Sequence, residues 1–338
     1  MGVKLGEIVP RQDITFEDLE GKKIAIDASN TLFQFLSSIR QQDGTPLMDT
    51  QGNITSHLVG ILTRFANLLQ KKISLVVVFD GKPPALKHAQ HEARRERKDR
   101  AQSLYDEAKK TEDTELMGKY AKQTSLLNSE MILESKELLK AMGIPIVQAP
   151  SEADAQIAYM NKQDDVYGCG SSDFDCLIHG GPRLVTNLTL SQRRKLPSGE
   201  YKKINPQIIG LKETLKELEI NQDQLISLAI LSGTDYNLEG VKGIGPKKAL
   251  KLIKEKKTPA NIFKGLDVGG DWEEIFDLFK NMNVEKKYVT ELSEPNPDII
   301  KNILVDKHEF AEDRVQSTIN KLFKSEEEKK QTALNRWV

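Results

Sequence analysis

Apolar residues in the first half of this chain follow two alternating patterns. Short continuous runs, KKIAID, ISLVVVFD, GIPIVQAP and DVYGCGSS, show no polar alternation and read as strands buried on both faces of a parallel sheet. Between them TLFQFLSSI, SHLVGILTRFANLLQKK and MILESKELLKAMG repeat their apolar positions with helical spacing. Gly143 stands where a helix C-cap belongs, and SEADAQIAYM reads as a helix opening at Ser151. This predicts an α/β fold: a mostly parallel central sheet flanked by helices, with right-handed crossovers between consecutive parallel strands. RLVTNLTL and EYKKINP look strand-like, and from Leu211 onward the spacing is helical, in LKETLKELE, QDQLISLAILSG, PKKALKLIKEKK, WEEIFDLFKNM and FAEDRVQSTINKLFK. The tail SEEEKKQTALNRWV is polar until its end and is expected to be disordered.

One stretch breaks the pattern. From about Lys87 to Asn128 the chain is highly charged, helical in spacing and too poor in large apolar residues to build a core of its own. Over the whole chain of 338 residues, 49 Lys plus Arg stand against 50 Asp plus Glu, a net charge of -1, so any nucleic-acid surface has to be local. The two cysteines, Cys169 and Cys176, are too few and poorly spaced for a zinc site or a disulfide framework and read as small core residues. No apolar run approaches the length of a membrane span, and MGVKLGEIVP lacks a signal-peptide pattern, so an intracellular, cytoplasmic protein is expected.

The strand pattern gains meaning from what ends each run. Asp27 closes KKIAID, Asp80 closes ISLVVVFD, and Asp173 and Asp175 follow DVYGCGSS. In open α/β sheets ligands bind beyond the carboxyl ends of the strands, so these acids converge if their strands are neighbours. In extended chain Asp173 and Asp175 would also point to one side. Taken singly, each reads more readily as a turn or helix-cap aspartate, but four together weigh against that. Glu152 and Asp154 open a helix, where Ser151 could cap and the acids could simply offset the helix dipole. Asp235 follows the apolar helix ending at Gly233. So many carboxylates in one place repel one another unless cations intervene. Hard oxygen donors without a Cys or His ligand set favour Mg²⁺ or Mn²⁺. Two such ions, about 3.5–4 Å apart, suit phosphoryl transfer.

Two further patterns point to a phosphate backbone. In GVKGIGPKKALKLI, Gly243 and Gly245 permit a tight turn with outward N–H groups, Pro246 suits the first helical position, and Lys247 and Lys248 add charge. An ordinary interhelical turn is the alternative. The run GKPPALKHAQHEARRERKDR begins just after Asp80, and Lys87 and Arg94, seven apart on one helical face, could reach a scissile phosphate. The alternative there is a solvated helix face.

With FDGKPPALK, APSEADAQ, SSDFDCL, LSGTDY and GVKGIGPKKA in that order, the chain resembles the flap endonucleases of the XPG-type structure-specific nuclease family, in their archaeal form, over nearly its full length. The resemblance implies a 5′-nuclease (PIN-like) fold and an Mg²⁺-dependent 5′ flap endonuclease with 5′–3′ exonuclease activity, serving Okazaki fragment maturation and base excision repair. It implies that Asp27, Asp80, Glu152 and Asp154 hold one metal and Asp173, Asp175 and Asp235 the other. Lys87 and Arg94 would act from the base of a helical arch. Arg40, Arg64, Glu152, Gly233 and Asp235 would contact branched DNA, Phe33 would stack on a base, and the Gly243–Gly245 turn, in a helix-turn-helix-type motif, would grip the duplex, commonly with a bound K⁺. The implied organisation is a nuclease region over 1–98, an arch or linker over 99–130, a second nuclease region with the glycine turn over 131–258, a helical region over 259–325 and a flexible tail over 326–338.

Two departures stand out. Asp154 occupies a position where the pattern commonly has Glu, which sets the carboxylate back by one methylene and leaves open direct or water-mediated metal binding. QTALNRWV resembles the sliding-clamp box through Gln331, Leu334 and Trp337, with Val338 where a second aromatic is expected; the missing ring removes apolar burial worth on the order of 1 kcal/mol. The similar QSTINKLF, from Gln316 to Phe323, reads instead as a packed amphipathic helix. A monomer acting on flap DNA is expected, with a four-way-junction or bubble-cutting relative and a catalytically silent DNA-binding scaffold as rivals.

Overall fold

The computed structural model describes residues 5–41, 43–111, 116, 120, 127–189, 193–195 and 200–334; the side chains at 88, 89, 91, 94, 109, 193–195, 201, 202 and 324–334 lie outside the description. Its centre is a seven-stranded sheet, in which β1 is Gln12–Asp13, β2 Lys23–Asp27, β3 Ser74–Phe79, β4 Ile146–Gln148, β5 Gly168–Gly170, β6 Arg183–Thr186 and β9 Gln207–Gly210. The spatial order is β1-β9-β6-β5-β2-β3-β4. The five strands from β6 to β4 run parallel, and β9 and β1 close one edge antiparallel. β7 (Arg193–Lys195) and β8 (Tyr201–Lys203) form a separate antiparallel ribbon.

The unbroken apolar runs are explained by the covering of both faces. On β2 and β3, Ile24, Ile26, Leu75, Val77 and Phe79 pack towards one core, while Ala25, Val76 and Val78 pack towards the other. The first core is closed by the helix Ala28–Ser38, the run from Ser56 to Gln70, the helix Ser129–Ala141 and the last helix, Glu312–Leu334. The second is closed by Ala153–Lys162, Gln222–Ser232, Pro246–Lys256 and Trp272–Asn281. Among the described residues no helix is long and apolar enough to cross a membrane.

Several boundaries differ from the sequence reading. RLVTNLTL yields only four strand residues, because Asn187 turns left-handed at φ 61°. EYKKINP pairs in the outer ribbon, and the next piece, QIIG, supplies edge strand β9. Nothing in four residues abutting a helix separates strand from helix start. The tail expected to be disordered continues the last helix to Leu334 in the described backbone. Glu, Lys, Gln and Ala are good helix formers. QSTINKLF is the packed helix expected, with Val315, Ile319 and Leu322 buried. The charged stretch after Lys87 forms a helix over His88–Lys110.

Helices Ala28–Ser38 and Ser56–Gly60 cross where Gly60, at helical φ -62°, leaves no room for a methyl group: a Cβ there would meet the Phe35 ring. Phe35 is fully buried and set edge-on to Phe65 at 5.9 Å, so it has nowhere to move. Gly60→Ala should gain about 1 kcal/mol of helix propensity yet destabilise by about 1–2 kcal/mol net through overpacking, read as a lower denaturation midpoint in guanidinium. An unchanged or raised midpoint would show that the helices can separate there.

Candidate active site

The order β5-β2-β3-β4 places a switch point between β2 and β5, and the carboxyl ends of these parallel strands share one rim. Asp27 ends β2 and caps the following helix, its Oδ1 accepting from Asn30 N at 3.1 Å. Asp80, one residue beyond β3, accepts from Ser29 Oγ through Oδ2 and from Ala153 N through Oδ1 at 2.8 Å. The cap of the helix Ala153–Lys162 is therefore supplied across the rim by Asp80. Ser151, expected as the cap, lies outside, with Glu152 at the N-cap position making no cap bond of its own. Glu152 is thereby left to face inward.

Asp173 and Asp175 are not on extended chain as expected. Asp173 lies in the turn after β5, where Asn30 Nδ2 donates to its Oδ2 at 3.0 Å, and Asp175 is the first residue of the helix Asp175–Ile178. Asp235 sits in the loop after Gln222–Ser232, which begins with Gly233 at φ 98°. That loop is fixed by Asn237, which accepts from Thr234 Oγ1 at 2.6 Å and donates to Ile230 O at 2.8 Å.

These elements enclose a cleft of about 290 Å³ lined by Asp27, Asp80, Asp154, Asp173, Asp175 and Asp235, with Phe33 and Lys87. Lys87 Nζ bonds Glu152 Oε1 and lies 3.4 Å from Asp235 Oδ2. Tyr236 Oη donates to the other oxygen of Glu152 at 2.7 Å. Burial disfavours the ammonium, but Glu152, Asp235 and Asp80 outweigh it and push the Lys87 pKa up, so the charge is permanent. Burial first, then Asp80 and Asp173, push Asp27 up to about 8. Asp154 is likewise raised well above the carboxylate range by burial, by Cys176 and by Asp27, Asp175 and Asp173. Cys169 and burial keep the Cys176 thiol protonated, and that thiol donates to Asp154 Oδ1 at 3.0 Å.

Among the described residues no three His, Cys, Asp or Glu side chains are drawn tightly enough to close round an ion as they stand. Asp27, Asp80, Glu152, Asp154, Asp173 and Asp235 instead each meet a donor. The donor set nevertheless fits hard divalent ions: it is all oxygen, and its buried members carry a repulsion that a cation would relieve.

Other candidate residues lie around this cleft. Phe33 is 42% exposed at its edge. Arg40 is half-buried and donates to Leu36 O at 2.9 Å and Gly44 O at 2.8 Å, and Arg64 is half-buried in the π-helical turn Ile61–Phe65; both lie outside the cleft lining. Gly243, at φ 79°, and Gly245 have open space where a Cβ would stand. Lys247 is exposed, and Lys248 Nζ turns back to Gly243 O at 3.1 Å. The side chains of Arg94, Gln331 and Leu334, and the whole of Trp337 and Val338, lie outside the described residues. Sequence reading missed Ser29, Asn30, Tyr236 and Cys176. The Ser-Asn pair one residue beyond a strand-ending acid was a usable signal; the other two carried none.

The family model described as the XPG N-terminal domain matches residues 1–101, and that of the XPG I-region matches residues 143–235. Flap endonuclease 1 of Pyrococcus abyssi is 48% identical over 339 residues, covering 100% of this chain and 98% of its own. The chain belongs to the flap endonuclease 1 family. Flap endonuclease 1 of Saccharolobus solfataricus is 44% identical over 97% of each chain. The solved structure of flap endonuclease-1 from Methanococcus jannaschii superposes with a TM-score of 0.79 at 42% identity, covering 97% of this chain and 100% of that one. The catalytic core of Rad2 in complex with DNA substrate, at 24% identity and a TM-score of 0.70, shares the fold. Members of this family are divalent-metal nucleases, which agrees with the all-oxygen donor set.

Asp27 gives this charge density a measurable sign. Its folded pKa of about 8 lies above the ordinary 3.8, so with chelator present its contribution to stability falls as pH rises through that interval. The stability advantage of Asp27→Asn over the unsubstituted protein in EDTA should grow by on the order of 1 kcal/mol or more between about pH 5 and pH 8. Denaturant melts at the two pH values measure it, and a gap independent of pH would contradict the burial of this charge.

Proposed function

We propose that this flap endonuclease 1 family member is a 5′ flap endonuclease, and 5′–3′ exonuclease, that hydrolyses one phosphodiester near a single-strand/duplex junction with two Mg²⁺ ions, for which Mn²⁺ can substitute. The observation that carries this reading is the convergence of six acids and a permanently charged lysine on one cleft at the switch point. Asp27, Asp80, Glu152 and Asp154 would hold one ion, and Asp173, Asp175 and Asp235 the other. Ions bound there would supply positive charge for the phosphoryl oxygens and lower the pKa of an attacking water.

The chain's own residues do the rest. Lys87, just before the helix His88–Lys110, presents its ammonium to the scissile phosphate, with Arg94 two turns further along that helix, at the base of an arch that passes the single strand. Phe33 offers its exposed ring to a base at the junction, a contact tolerant of sequence because every base has a stacking face. Arg40 and Arg64 hold the backbone of the branched DNA, and Glu152, Gly233 and Asp235 touch it at the cleft edge. The bare turn at Gly243 and Gly245, with Lys247 and Lys248, lets duplex phosphates approach main-chain N–H groups, with K⁺ bound beside them. The tail box of Gln331, Leu334, Trp337 and Val338 would tether this monomeric enzyme to a sliding clamp. Specificity then comes from junction shape rather than base reading.

Purified protein with Mg²⁺ should cut a labelled flap faster than a bubble or a four-way junction, and Asp173→Asn should abolish cutting while leaving flap binding largely intact. Cutting by Asp173→Asn at the normal rate would refute the ion assignment. Lys87→Met should lower kcat by about 100-fold or more with KM little changed, because its charge acts on the transition state. A loss confined to KM would make Lys87 a DNA-binding residue only.

A further inference from the structure

Resting on the metal reading above, we propose that Cys176 is a positioning residue that holds Asp154 in place to bind an ion. Cys176 is fully buried, and as the second residue of the helix Asp175–Ile178 it follows directly on one cleft acid. Its thiol reaches across to Asp154, the second residue of the helix Ala153–Lys162, with Sγ 3.0 Å from Oδ1. The two helices follow β4 and β5, which lie on opposite sides of β2 and β3 in the sheet order. One hydrogen bond therefore joins the half of the cleft carrying Asp154 to the half carrying Asp175.

The geometry suits the aspartate. A carboxylate one methylene shorter than glutamate sits closer to its own helix, and a side chain on the first turn has few neighbouring donors to fix its plane. Thiols are weak donors and buried cysteines usually only fill space. A buried S–H aimed at a carboxylate is different, because both groups are withdrawn from water and the bond has no solvent competitor. Groups that orient a metal ligand without touching the ion control its affinity.

The test separates orientation from packing. Mn²⁺ binding to the full-length protein is followed by electron paramagnetic resonance, without DNA. Cys176→Ala and Cys176→Val should each weaken the tighter Mn²⁺ site by about tenfold, whereas Cys176→Ser, which keeps a donor, should stay near the starting affinity. In an Asp154→Asn background the Cys176→Ala change should add nothing further. Infrared spectra of the otherwise unsubstituted protein give a readout independent of metal and of folding of the variants: one of its two S–H stretching bands should shift on Asp154→Asn. Equal Mn²⁺ affinity for Cys176→Ala, a Cys176→Ser as weak as Cys176→Ala, or an S–H band indifferent to Asp154→Asn would overturn the proposal. Absence of Mn²⁺ binding by the unsubstituted protein would overturn the metal reading with it.

Discussion

Mutual repulsion among acids is the constraint around which this molecule is arranged. Parallel strands and the turn after β5 deliver Asp27, Asp80 and Asp173 to one rim, one helix start adds Glu152 and Asp154, another adds Asp175, and a distant loop adds Asp235. Left alone, such a cluster would force the rim apart or take up protons. The fold answers with three kinds of positive potential. Helix N-termini meet Asp27 and Asp80, where the N–H groups of Asn30 and Ala153 are unsatisfied by the helices themselves. Lys87 places a full charge between Glu152 and Asp235. Neutral donors, Ser29, Asn30, Tyr236 and Cys176, take single oxygens. Divalent ions bound as proposed would complete a balance that these groups only begin.

The caps show why a structural and a chemical reading of one residue need not compete. Asp27 is a helix-cap aspartate and also lines the cleft. Asp80 caps a helix that is not its own, and the acid at that helix's N-cap position is turned inward as a result. A helix dipole tames each carboxylate on one oxygen and leaves the residue usable.

What could be read from the chain follows from how far each signal travels along it. Asp27 and Asp80 were legible because an acid closing an apolar run is a local event, and the two cores confirm that those runs are covered on both sides. Glu152 stayed ambiguous because the residue that displaces Ser151 as cap, Asp80, lies far back in the sequence. Tyr236 was invisible for the same reason: its partner is 84 residues away. Edge strand β9 was lost in four residues abutting a helix, and the tail helix was lost because polarity was read as disorder where Glu, Lys and Ala also favour a helix.

The cleft's lining runs from Asp27 to Asp235, so its walls are separated by most of the chain. Contacts of such long range carry a high loop-closure cost. A growing chain that has passed β3 already carries Asp27 and Asp80, but it lacks the loop that brings Asp235 beside Lys87. A copy of the chain that stops short of Asp235 therefore lacks one wall of the cleft. One small cleft is thus written across the sequence, and its outline is complete only in a chain that extends past its last acid.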